Sequence, residues 1–157
     1  MNDRDDGTEV RLEIQIAASP ATVFALLTEA ARMKTWLADA VEADCRPGGI
    51  FQVKGPRGGV IEGKYLEIIP NRKVVFTWGG VRGLKPGAST VEFHLEPQGR
   101  GTLLRLHHHG LPNSLVQRHR RGWEAFGLVK LRDTAEGTPP AILCVDDIVQ
   151  ASSSNER

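Results

Sequence analysis

Residues 104–137 read LRLHHHGLPNSLVQRHRRGWEAFGLVKLRDTAEG, and the period of this stretch changes halfway along. Leu104, Leu106 and His108 alternate with Arg105, His107 and His109, which is the two-residue period of a strand. From about Ser114 the spacing lengthens. Trp123, Gly127, Leu131 and Ala135 fall four apart, flanked by Phe126 and Leu128, so one side of a helix is apolar. Gly137 is placed to end that helix, and Pro139 and Pro140 forbid its continuation. A strand that leads into a long amphipathic helix needs an apolar face for the helix to cover.

That face lies upstream. Between Asp39 and Gly110, apolar runs are broken by RPGG, GPRGG, IPNRK, GGVRGLKPG and PQGRG. These clusters are turn chemistry, and strands joined so closely pair mostly antiparallel. Six strands are predicted, at about 39–46, 49–54, 59–69, 73–79, 89–97 and 101–109. Val74, Phe76 and Trp78 share one face, as do Val91, Phe93 and Leu95. A seventh strand opens the domain, with Val10, Leu12, Ile14 and Ile16 on one side and Arg11, Glu13 and Gln15 on the other. Ser19 then stands as a helix cap and Pro20 at the first helical position. Val23, Phe24, Leu26, Leu27 and Ala31 make one helical face, and a second short helix is expected from Met33 to Leu37.

The expected fold class is therefore α+β: a strand, two short helices, a six-strand meander and a closing helix. A curved antiparallel sheet cannot fill its own concave face, so the helix must lie across it, and any gap between them is a cavity. A flexible leader is expected over 1–8, one domain over 9–137, and an extension over 138–157 with a disordered end. In that extension the apolar piece 142–149 is expected to pack on the surface or against a partner, which leaves a homodimer open.

Bulk properties narrow the function classes. A formal charge of +1 over 157 residues makes no general electrostatic case for nucleic acid or a membrane surface. No apolar run reaches the length of a membrane span, and the acidic, polar MNDRDDGTEV start lacks the apolar core of a secretory signal. A cytoplasmic protein with Cys45 and Cys144 as free thiols is expected.

Several segments resemble one family. IAASPATVFALLTE is similar to an opening strand and helix entry of the SRPBCC/START-like (Bet v 1-like) superfamily. MKTWL, DCRPGGIF, GKYLEIIPNRKVVFTW, LRLHHHGLP and RRGWEAF resemble, in order, further segments of one subgroup. That subgroup is named for the C-terminal domain of the activator of Hsp90 ATPase. The resemblance spans about Val10 to Gly137 and implies the helix-grip fold, a curved sheet of about seven strands wrapped around a long C-terminal helix. In the co-chaperone a separate N-terminal domain carries much of the activating contact. The resemblance thus implies a small-ligand binder at least as strongly as a co-chaperone.

The three adjacent histidines raise the question of a metal. Strand geometry turns His108 inward, beside Leu104 and Leu106, and His107 and His109 outward or into the loop. Adjacent residues cannot all converge on one ion from a regular strand, and no Cys, Asp or second His cluster is spaced to complete a zinc set. His119 is the only other candidate near enough. No metal or cofactor is therefore expected. His108 matches the histidine of the subgroup's strand end. It reads either as a histidine bonded to a backbone carbonyl or helix residue, or as a polar handle inside an apolar cavity.

Around it, Trp36, Phe51, Tyr65, Phe76, Trp78, Phe93, Leu106, Trp123 and Phe126 are the side chains available to line a cavity. Core packing is the alternative for each. Gly122 is expected to let the helix approach the sheet closely. The basic run at Arg118–Arg121 reads as a solvated helix face. No paired carboxylates, nucleophile elbow, phosphate loop or dinucleotide fingerprint occurs. The leading expectation is a domain that binds a hydrophobic or aromatic small molecule between sheet and helix. The alternatives are an Hsp90-activator-like interaction module and a cyclase- or hydrolase-type enzyme using His108, for which no second catalytic partner is visible.

Overall fold

Ser19, in the short link after the first strand, starts the first helix. Its side-chain oxygen accepts the Thr22 backbone N–H at 3.2 Å, and Pro20 opens the helix with its φ already helical. The computed structural model describes residues 9–54, 59–81 and 83–137. The expected leader at 1–8, the extension at 138–157 with Cys144, and most of the GPRGG loop lie outside the described residues.

Seven strands and the closing helix appear as expected. The elements run β1 (Glu9–Ile16), α1 (Pro20–Thr28), α2 (Ala30–Met33), β2 (Ala40–Ala43), β3 (Ile50–Lys54), β4 (Val60–Ile69), β5 (Lys73–Trp78), β6 (Ser89–Gln98) and β7 (Gly101–His109). α3 (Asn113–Gly122), a π-helical turn (Trp123–Gly127) and α4 (Leu128–Gly137) complete the chain. All strands pair antiparallel in the order β1-β7-β6-β5-β4-β3-β2. This is the α+β helix-grip fold.

Local chemistry moves three boundaries. The second short helix forms at Ala30–Met33, before the expected position, because Glu29 is extended (φ −97°, ψ 123°) and breaks the chain there. Trp36 then folds back, its indole N–H donating to the Leu26 carbonyl at 2.7 Å. The strand expected at 39–46 stops at Ala43, since the Asp44 N–H already turns onto the Ile50 carbonyl. Gly48 takes φ +86° in that turn, and a Cβ on Gly49 would fall 1.9 Å from the Asp44 carbonyl oxygen. Cys45 is consequently an exposed free thiol outside the strand.

The third change lies in the closing helix. Its buried positions are Val116, Trp123, Leu128, Leu131 and Ala135, and the step from Trp123 to Leu128 is five residues. The Leu128 N–H bonds the Trp123 carbonyl, which is the wider π turn. One extra residue in that turn rotates Phe126 out of the core, leaving it 64% exposed.

The core lies between the sheet's concave face and the helices. Phe51 and Phe76 stack at 4.2 Å, Tyr65 and Phe93 pack around them, and α4 closes on β1 and α1.

Candidate functional site

β5 ends at Trp78 and the π turn begins at Trp123, and these rings meet at 5.3 Å between centroids. Above them opens a groove of about 340 Å³, walled by Trp36, Ile61, Trp78, Trp123 and Phe126 and rimmed by Arg118 and Lys130. Its volume is at the small end of ligand sites.

The polar edges of these aromatic walls are occupied. Trp36 donates to the Leu26 carbonyl, Trp78 donates to His119 Nε2 at 3.3 Å, and Trp123 donates to His108 Nδ1 at 3.1 Å. An indole N–H can only donate, so both histidine nitrogens that face one are acceptors without a proton. His119 then carries its hydrogen on Nδ1, which donates to the Leu115 carbonyl at 2.9 Å. His108 carries its hydrogen on Nε2, which donates to Ser89 Oγ at 2.8 Å, and Ser89 passes its own hydroxyl hydrogen to the Trp78 carbonyl at 2.8 Å.

A serine beside a histidine invites comparison with a nucleophile and its base. The hydrogen-bond direction is the reverse of what that chemistry needs, because the imidazole donates to the serine. Ser89 and His108 are both buried. Burial is the main reason that His108 stays neutral, its pKa lowered to about 2, with His119, His109 and His107 adding to the effect. A buried carboxylate would mark an enzymatic pair, and among the described residues the hydrogen-bond partners of His108 are Ser89 and Trp123.

The proposed lining residues separate into two layers. Trp36, Trp78, Trp123 and Phe126 reach the groove. Phe51, Tyr65, Phe76, Phe93, Leu106 and His108 form the buried layer beneath it. The Tyr65 hydroxyl is buried with no hydrogen-bond partner among the described residues, and desolvation pushes its pKa up.

Sequence reading named three further contributors but gave them other roles. His119 lies one helical turn before Trp123, so their shared face was legible in the spacing. Arg118 sits at the rim although its run reads as a solvated face. Gly127, and not Gly122, is the sterically required glycine: a Cβ at 127 would stand 2.7 Å from Cε3 of Trp123, whereas one at 122 meets nothing within 4 Å.

Comparison with known proteins places this geometry in a family. The family described as "Activator of Hsp90 ATPase homolog 1-like protein" matches residues 17–136. No curated protein matches significantly. Among solved structures, an AHSA1-like protein from Rhizobium etli is 35% identical with a TM-score of 0.67, covering 85% of this chain and 84% of that one. A Mesorhizobium loti protein is 27% identical with a TM-score of 0.73, over 84% of this chain and 99% of that one. The Aha1 dimer from Colwellia psychrerythraea is 22% identical with a TM-score of 0.73, over 84% and 98%, a likeness of fold. No helix among the described residues is long and apolar enough to cross a membrane.

Proposed function

The chain belongs to the activator of Hsp90 ATPase homolog 1-like family, and on that premise we propose that it binds a hydrophobic or aromatic small molecule in the groove at the π turn. One observation carries this reading. Three tryptophans reach the groove with every indole N–H already bonded inside the protein, so they offer it ring surface. Phe126 adds an exposed ring that the core does not use. Arg118 and Lys130 at the rim favour a ligand with an aromatic body and an acidic substituent. With His108 and Ser89 committed to a structural relay, the groove binds without supplying a base.

Native mass spectrometry of the purified protein, followed by tryptophan-fluorescence titration with aromatic carboxylates, neutral aromatics and fatty acids, tests the reading. Saturable quenching by an aromatic acid supports it. An apo mass with no response to the whole panel overturns it.

A second reading, an Hsp90-activator-like interaction module, follows from the family and from exposed apolar Ile50, Leu66 and Ile69 on β3 and β4. Stimulation of an Hsp90 ATPase by the purified chain, lost on replacing these residues with Ser, would establish it.

A further inference from the structure

The convex face of the sheet, opposite the groove, gathers histidines and carboxylates from three neighbouring strands. His107 and His109 lie two residues apart on β7 and so share that face, their rings 4.5 Å apart. Glu92 stands opposite His107 on β6. One ligand atom from each of Glu92, His107 and His109 can be chosen so that all lie within 4.8 Å of one another. Glu92 Oε2 is 2.7 Å from His109 Nε2 and 3.9 Å from His107 Nδ1.

Each of two ligands is oriented from outside the set. Glu9 on β1 accepts from His107 Nε2 at 2.5 Å, which leaves Nδ1 with its lone pair toward Glu92. His94 Nε2 lies 2.9 Å from the other Glu92 oxygen, so Oε2 faces the cluster, where His109 Nε2 donates to it until an ion displaces that hydrogen. A carboxylate behind a ligating histidine is the recurrent outer support of zinc sites. Arg11 pairs with the same Glu9 oxygen that His107 bonds, while Arg105 pairs with Glu13 and Glu96 and Lys73 with Glu67, outside the ligand set. The cluster borders a depression of about 640 Å³ that Arg11, Glu13, His94, Arg105 and His107 line, so an ion has a route in.

We propose that Glu92, His107 and His109 bind one borderline divalent transition-metal ion, zinc above all, with Glu9 and His94 as positioning residues. Two imidazoles and one carboxylate suit zinc and leave its fourth position to water. The sequence reading set a metal aside because adjacent histidines cannot all converge on one ion and no Cys, Asp or second His cluster is spaced to complete a zinc set. The first objection stands for His108 alone, and the second did not weigh Glu92, which the adjacent strand supplies.

Calorimetric titration of the full chain with ZnCl2 is expected to show one saturating equivalent. It should be abolished in the double variant His107→Gln/His109→Gln and weakened about 10–100-fold by Glu9→Gln. On the wild-type protein, independent of any variant's folding, Co2+ should broaden the ring resonances of His107 and His109 before those of His119. No saturable Zn2+ binding, binding that survives the double substitution, or broadening centred elsewhere would each overturn the proposal. The site lies across the sheet from the groove, so either can fail without the other.

Discussion

The indole N–H of Trp123, on the closing helix, donates to Nδ1 of His108, on β7, across 3.1 Å of buried space. A reciprocal bond runs from Trp78 on β5 to His119 on the helix. Each layer thus donates a tryptophan hydrogen to a histidine of the other, and these bonds define where the helix sits. Trp123→Phe removes a donor and strands the buried Nδ1, a loss of about 1–3 kcal/mol before any cavity term. Urea denaturation measures it, and an unchanged midpoint would refute the role.

The same histidine sets a pH dependence with a definite sign. Burial lowers the His108 pKa from 6.5 to about 2. Between those values the unfolded chain takes up a proton that the folded protein refuses, so stability falls as pH falls. Above 6.5 both states are neutral and the effect vanishes. The slope approaches about 1.4 kcal/mol per pH unit for one proton. Urea midpoints at pH 7, 6, 5 and 4 should decline more steeply in the wild type than in His108→Gln. Parallel curves would dismiss the assignment.

Tyr65→Phe deletes a buried hydroxyl that makes no hydrogen bond among the described residues. Melting temperature should hold or rise, since the aromatic packing stays and an unsatisfied polar atom goes. A loss beyond about 1 kcal/mol would reveal a partner outside those residues.

Two helix glycines should respond in opposite directions to the same change. At Gly127 an added methyl meets the Trp123 ring, so Gly127→Ala should destabilise by about 1–3 kcal/mol through overpacking. At Gly122 the space is open, so Gly122→Ala should stabilise by up to about 1 kcal/mol through helix propensity. Thermal melts of the pair read both.

Phe126→Ser tests whether the exposed ring serves the groove. With 64% of the residue in solvent, stability should stay within about 0.5 kcal/mol. Affinity for an aromatic acid, read by fluorescence titration, should drop at least severalfold.

Much of the architecture was written in local pattern. Alternating Val10, Leu12, Ile14 and Ile16, the Ser19–Pro20 helix start and the glycine-proline turns each act over a few residues, so seven strands and the closing helix were legible one element at a time. So was the division of the histidine run, because strand parity turns His108 inward and its neighbours outward. Periodicity failed at Phe126, where regular helical spacing predicts an apolar flank and the π turn adds a residue.

Tertiary structure alone decided the partners. Nothing in the spacing of Trp123 and His108, fifteen residues apart, says that one nitrogen faces the other, nor that Ser89 takes the remaining hydrogen. Nor could it place Glu92 beside His107, since cross-strand register depends on the turn that joins β6 to β7. Local sequence determines the elements through backbone propensity and side-chain period. Hydrogen bonds and ligand clusters form between elements, and only strand pairing and the packing of the sheet against the helix bring those atoms within reach.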